Sequence, residues 1–262
     1  MTRRALNEWE RIEVERSAVE ASQIDLAGLG GDETQVVRYL RPPADTCYPL
    51  EYSFHLLGDV RGKTVLEYGC GDGLNTLVLA RRGAEVKAID ISADLIDVAR
   101  RRLVAHGVSG NVEFMVASAH NLPMRNESVD VVFGIAILHH LDLELSALEV
   151  RRVLRNGGRA IFQEPVRNSR LLGFIRGLIP YRPPDVSPFE RPLTDEELET
   201  YAATFSSARS RAFLFPTTSL VRVVPPLRRR FLDSCHSIDA SILQRFPVLA
   251  RYATVRVLEV VK

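Results

Sequence analysis

The chain has 262 residues, of which 46% are hydrophobic and 26% charged. Thirty-four Lys and Arg stand against 33 Asp and Glu, a formal net charge of +1. Such a chain can bury a large core, and it carries no basic excess that would suit a nucleic acid or another polyanion. In chain order, the first forty or so residues have mixed charge and a glycine-rich break at 28–31, which predicts a helix followed by a loop. YPLEYSFHLLG (48–58) predicts a short amphipathic helix. From residue 63 apolar strands and helices of 3.6 period alternate. KTVLEYG is a strand and LNTLVLARRG a helix stopped at Gly83. AEVKAIDIS is a strand and ADLIDVARRRLVAHG a helix stopped at Gly107. NVEFMVAS and SVDVVFGIAILHH are strands, the second running into a loop. LELSALEVRRVLRNGG is a helix with a glycine stop, and RAIFQEP is a strand. Residues 166–192 break the pattern with five prolines. TDEELETYAATF restarts a helix with a capping box, Thr194 to Glu197. SRAFLF and TVRVLEVV read as further strands. The short basic runs Arg100–Arg102 and Arg228–Arg230 read as solvated helix faces.

This alternation is the βαβ pattern of a parallel sheet covered by helices on both faces. Cys47, Cys70 and Cys235 lie far apart without CxxC spacing, which speaks against a disulfide framework or a zinc site and for a reducing compartment. The opening MTRRALNEWERIEVER has no apolar centre of a signal peptide, and no apolar run is long enough to span a bilayer. A cytoplasmic location is therefore expected.

The stretch VLEYGCGDGLNT (65–76) is the first informative motif. Gly69, Gly71 and Gly73 follow an apolar strand that ends near a carboxylate, Glu67. Glycine at a strand-to-helix turn lets backbone approach a ligand and permits positive φ, and ligands of open α/β sheets sit beyond the strands' carboxyl ends. The spacing is GxGxG, not the dinucleotide GxGxxG: Leu74 stands at the third position of that fingerprint. A pyrophosphate would also lie unfavourably close to Glu67 and Asp72, whereas a cationic ligand would not. Asp90 ends the next strand, where an ionised acceptor suits two vicinal ribose hydroxyls.

At these residues the chain resembles the class I S-adenosylmethionine-dependent methyltransferases, over about residues 47–165. The resemblance implies a Rossmann-like, mostly parallel sheet of seven strands with helices on both faces. It further implies an N-terminal helical cap (1–60), a cofactor-binding core (61–165), a lid inserted after strand five (166–205) and a C-terminal part with a final β-hairpin (206–262). By the same resemblance the cofactor is S-adenosyl-L-methionine. Glu67, Gly69, Gly71 and Gly73 would surround its methionine part, Asp90 would hold the ribose, Ile91 would pack on the adenine, and Cys70 and Asn75 would also belong to the cofactor site. VASAHNLPMRNESVDVV resembles the family's third motif, with Ser118 in place of its usual Asp and Ala119 after it. Ser118 would bond the adenine amino group as a neutral acceptor. GIAILHHL (134–141), with Ile135, resembles the segment that would line the sulfonium side, and the helix carrying Tyr48 would close over the cofactor.

Methyl transfer needs alignment, exclusion of water and, for a hydroxyl or ammonium acceptor, a general base. His139, His140 and Glu164 are the candidates. Each histidine is weighed between base and cap, with His139 the freer and His140 the more architectural; Glu164 either orients a substrate or completes a buried network. No carboxylate cluster accompanies the histidines, so no metal is expected. The acceptor is expected to be a small apolar or aromatic molecule methylated at oxygen or nitrogen. Alternatives are carbon methylation of a quinone or lipid-like acceptor, and a binding protein without turnover. Leu171 to Tyr181 reads either as an apolar acceptor lid, with Phe174, Tyr181 and Phe189 nearby, or as a surface that meets lipid at the membrane periphery.

Overall fold

A computed structural model describes residues 3–108, 110–169, 191–215, 217–218, 221 and 225–262. The expected lid stretch Leu171–Tyr181, with Phe174 and Phe189, lies outside the described residues, as do the side chains of Arg228–Arg230. Helix α1 (Arg3–Gln23), a 3-10 turn, α2 (Glu33–Leu40) and α3 (Pro49–Leu56) precede the sheet. Then follow β1 (Thr64–Tyr68), α4 (Leu74–Arg81), β2 (Glu85–Asp90), α5 (Ala93–Ala105), β3 (Val112–Val116), β4 (Val129–Ile135), α6 (Leu143–Val153) and β5 (Leu154–Pro165). The C-terminal part holds α7 (Asp195–Ala202), β6 (Ser207–Phe213), α8 (Pro225–Arg245) and β7 (Val255–Val261).

The seven strands lie in the order β3-β2-β1-β4-β5-β7-β6, all parallel except β7, which runs against both β5 and β6. The expected Rossmann-like sheet is thus observed. Strand β1 sits between β2 and β4, so the order reverses there, and the crevice at such a reversal is where α/β sheets bind ligands. The central strands β1 and β4 are buried almost throughout, whereas β6, at the edge, is largely exposed. Burial on both faces explains their near-continuous apolar sequence. One half of the core gathers Phe54, Leu77 and Phe133; the other gathers Tyr68, Leu138, Phe162 and Tyr201.

Local chemistry sets the helix starts. Ser92 Oγ accepts from Leu95 N ahead of α5, Asp142 caps α6, and Thr194 with Glu197 forms the expected capping box of α7.

Four sequence expectations are corrected. Helix α6 ends at Val153, before the RNGG segment, and β5 begins at Leu154. Glu127 N and Ser128 N take the carbonyls of Arg152 and Val153, and buried Leu154 pairs with Val129, so the chain turns extended before it reaches the glycines. Strands β6 and β7 do pair antiparallel, but the connection from Leu214 to Thr254 carries α8, so they form no tight hairpin. Helix α3 does not close over the strand ends: it packs on β5 and β7, with the Phe54 ring 4.8 Å from that of Phe133. Arg102 is no solvated residue. Its guanidinium is buried, donates to Asp72 O at 2.9 Å and Asp72 Oδ2 at 2.7 Å, and pairs with Asp32.

Candidate active site

The strand ends of β1, β2 and β4 surround a cavity of about 380 Å³, within the usual range of a small-molecule site. Its floor begins at the β1 turn. Cys70 N donates to Ile89 O at 2.8 Å and Gly73 N to Cys70 O at 3.0 Å, which folds the loop back on β2. Gly71 has φ +51 and faces open space, so backbone is presented there without a side chain. Gly73 has a different duty. At φ +82, a Cβ on it would lie 2.6 Å from Ala99 Cβ, so this glycine lets α4 approach α5 and does not line the cavity.

Asp90 ends β2 at the cavity wall. Its Oδ2 accepts from Gly71 N and its Oδ1 from Ser92 N, both at 2.9 Å. These bonds aim the carboxylate, while burial pushes its pKa up. Glu67 sits beneath the loop, 1% exposed. Thr76 Oγ1 donates to its Oε2, and among the described residues its Oε1 has no hydrogen-bond partner. Burial pushes Glu67 up to about 8; the Thr76 bond opposes this and the charges of Asp72 and Asp90 reinforce it.

Beyond β4, Ala136 takes φ +55, an unusual conformation for a residue with a Cβ, and a 3-10 turn over Leu138–His140 follows. That turn delivers both histidines to the cavity. Glu164, at the end of β5 and 1% exposed, organises it. Its Oε1 accepts from Ile137 N at 2.9 Å and Leu138 N at 2.8 Å, and its Oε2 lies 2.8 Å from His139 Nδ1. All three contacts point at the protein, so Glu164 does not touch the cavity and acts on it through His139. Both histidines have a carboxylate beside them: His139 has Glu164, and His140 Nδ1 lies 3.3 Å from Glu13 Oε2 on α1.

Helix α1 forms the roof. Trp9, Glu10, Glu13, Arg16, Ser17 and Glu20 line the cavity from above, and sequence reasoning missed all of them. Their one signal was the spacing Glu10, Glu13, Ser17, Glu20, which puts four polar side chains on one helical stripe.

Gly69, Gly71, Asp90, Ile91, Ser118, Ala119, Ile135, His139 and His140 meet at this cavity. Glu67, Cys70 and Glu164 support it from beneath, all buried. Asn75 lies outside the lining, half-buried on the first turn of α4. Tyr48 stands elsewhere: its hydroxyl donates to Asp233 Oδ1 at 2.6 Å on α8, and the Arg38 guanidinium lies 4.2 Å from its ring centre.

Residues 66–162 match the family described as methyltransferase domain. The fatty-acid O-methyltransferase of Mycolicibacterium smegmatis is 36% identical over 118 residues, 44% of this chain and 42% of that one. The ubiquinone biosynthesis O-methyltransferase of Shewanella halifaxensis is 28% identical over 191 residues, 70% of this chain and 80% of that one. The crystal structure of geranyl diphosphate C-methyltransferase from Streptomyces coelicolor A3(2) superposes with a TM-score of 0.52 at 16% identity, over 80% of this chain and 76% of that one, which speaks for the fold. Over residues 66–162 the chain carries a segment similar to a methyltransferase domain, and these likenesses together support a class I S-adenosylmethionine-dependent methyltransferase. Its match spans only 36% and 42% of the length of two of the curated relatives.

The residues of this cavity fit S-adenosyl-L-methionine. A sulfonium and an ammonium call for negative surroundings, which Glu67, Asp90 and the α1 carboxylates supply. Asp90 would hold the ribose hydroxyls, Gly69 and Gly71 the methionine part, and Ile91, Leu95 and Ile135 an apolar ring. No group of three or more metal-ligating side chains occurs among the described residues. Nor is any helix among them long and apolar enough to cross a membrane.

Proposed function

We propose that this methyltransferase modifies an oxygen or nitrogen of a small, apolar or aromatic acceptor, with His139 as general base. S-adenosylmethionine, when bound, supplies an electrophilic methyl group on sulfur. The observation that carries the reading is the buried Glu164 carboxylate at 2.8 Å from His139 Nδ1. A carboxylate there keeps the proton on Nδ1 and leaves Nε2 as the acceptor. His139 lines the cavity, so its Nε2 can take the proton of an acceptor hydroxyl or ammonium as that atom becomes nucleophilic. Glu164 then steadies the resulting imidazolium. The α1 roof excludes water from the transfer.

Carbon methylation of a quinol or lipid-like acceptor is the second reading, supported by 39% identity over 100 residues to a ubiquinone/menaquinone biosynthesis C-methyltransferase of Brucella anthropi. The same base would remove a phenolic proton and activate the ring carbon. The three cysteines are free, which supports a cytoplasmic placement.

The test is transfer of an isotopically labelled methyl group to a panel of phenols, carboxylic acids, amines and quinols, with the product's labelled atom located by NMR. His139→Ala should lower kcat by roughly two to four orders of magnitude, the usual worth of a general base, with cofactor affinity kept. Binding of S-adenosylhomocysteine without transfer to any acceptor would favour a non-catalytic binding protein. Full activity of His139→Ala would remove the base from the mechanism.

A further inference from the structure

Glu10 makes a pattern of contacts that the transfer chemistry does not use. Its Oε1 receives two donors from the loop after β3: the Ser118 hydroxyl, and His120 Nδ1 at 3.1 Å. The tautomer of His120 follows from its other face, because Nε2 lies 2.9 Å from Asp142 N and accepts that proton. A neutral His120 therefore carries its proton on Nδ1, aimed at Glu10. Ser118 is equally committed. Its oxygen accepts from His120 N at 3.1 Å, and its proton goes to Glu10. Both donors converge on Oε1, and Oε2 takes none of the bonds that hold the carboxylate.

The corner where this occurs is the far end of the cofactor cleft. Asp90 pairs in register with Val116, and Ala117 N donates to Asp90 O at 2.9 Å, so the segment Ala117–Ser118–Ala119 lies beside the ribose position. A base attached to a ribose held by Asp90 extends over Ile91 toward that segment and Glu10, all of which line the same cavity. Ser118 has given its proton away. The strongest acceptor left for a donor on the base is the second oxygen of Glu10.

We infer that Glu10, on α1 and outside the segment matched to the family, selects a purine with an exocyclic amine over one with a carbonyl at the same position. The inference rests on the reading of this cleft as the S-adenosylmethionine site. An amine presents N–H donors to a carboxylate; a carbonyl presents lone pairs, and two acceptors face to face repel. Selectivity for the base is thereby placed in the roof helix, and a ligand with the right base fastens the roof through one more bond.

The substitution Glu10→Gln tests this with little change of shape. Its amide oxygen must remain on the Ser118 hydroxyl and His120 Nδ1, because both are donors. The amide NH2 then occupies the place of Oε2 and faces the base. It opposes an amine and matches a carbonyl. The experiment is calorimetric titration of S-adenosylhomocysteine and S-inosylhomocysteine into wild type, Glu10→Gln and Glu10→Ala, with circular dichroism to show that each is folded. Wild type should prefer the adenosyl ligand by roughly ten- to hundredfold, the worth of a hydrogen bond to a charged group. Glu10→Gln should lose or invert that preference, and Glu10→Ala should bring it near unity. A helix that merely covers the site would weaken both ligands alike, so an unchanged ratio in Glu10→Gln overturns the inference, as does a wild type without preference. Failure of wild type to bind either ligand would overturn the cofactor reading itself, which separates the two failures.

Discussion

Glu67 gives the most demanding prediction, because the same carboxylate should weaken the free protein and serve its ligand. It is buried, with one oxygen on the Thr76 hydroxyl and the other without a partner among the described residues. Burial raises it from the ordinary 4.5 to about 8. A carboxylate raised in the folded state holds a proton that the unfolded chain has released. Its contribution to stability is therefore fully present below pH 4.5 and is lost as pH rises toward 8. Glu67→Gln removes that titration and keeps an acceptor for Thr76. The difference in unfolding free energy, variant minus wild type, should grow by roughly 2–3 kcal/mol between pH 5 and pH 7 in ligand-free protein. Urea unfolding at pH 5, 6 and 7 measures it. Asp90 titrates in both proteins and largely cancels in the difference. A cationic ligand reverses the effect by favouring the ionised form, so S-adenosylmethionine should release protons on binding to wild type at pH 7, and not to the variant. Calorimetry in two buffers of different ionisation enthalpy reads that release. Parallel stability curves for the two proteins between pH 5 and 7 would show that Glu67 ionises like an exposed carboxylate, and the argument from burial would fail.

Other outcomes follow from the same geometry. Asp90→Ala removes the charged acceptor for the ribose and should cost roughly 2–4 kcal/mol of cofactor affinity, about two orders of magnitude or more by calorimetry; an unchanged Kd in a folded variant would place the ribose elsewhere. Glu164→Gln can keep Ile137 N and Leu138 N on its amide oxygen and turn its NH2 to His139 Nδ1, which then accepts and moves the imidazole proton to Nε2. The variant should lower kcat while leaving cofactor affinity intact, and a purely structural Glu164 would leave kcat of the folded variant alone.

The parts legible in the sequence share a physical property: their signals are local. Strands β1 to β5 and the helices between them announce themselves because apolar runs alternate with a 3.6 period and with glycines after most of the helices. The floor of the site was legible for the same reason, since Glu67, Gly71 and Asp90 sit at strand ends and ligands of such sheets gather there. RNGG misled because a glycine pair is only a local stop signal, and buried Leu154 had already been claimed by pairing with Val129. Tyr48 misled because its partners, Arg38 and Asp233, come from ordinary helical sequence, one of them far along the chain.

The roof was illegible for a deeper reason. A helix that covers a polar ligand buries polar side chains, so α1 has Glu13 and Ser17 inside where an ordinary surface helix would have Leu or Val. Hydrophobic patterning cannot detect such a face. Only the stripe of Glu10, Glu13, Ser17 and Glu20 betrays it, and a stripe of that kind reads first as solvent. The family's motifs thus describe the floor of the cavity, while a helix far from them in sequence shapes the chamber above it. In this chain the two halves meet through polar contacts of long sequence separation, Glu10 with Ser118 and Glu13 with His140. The second of these joins the roof to the turn that carries His139.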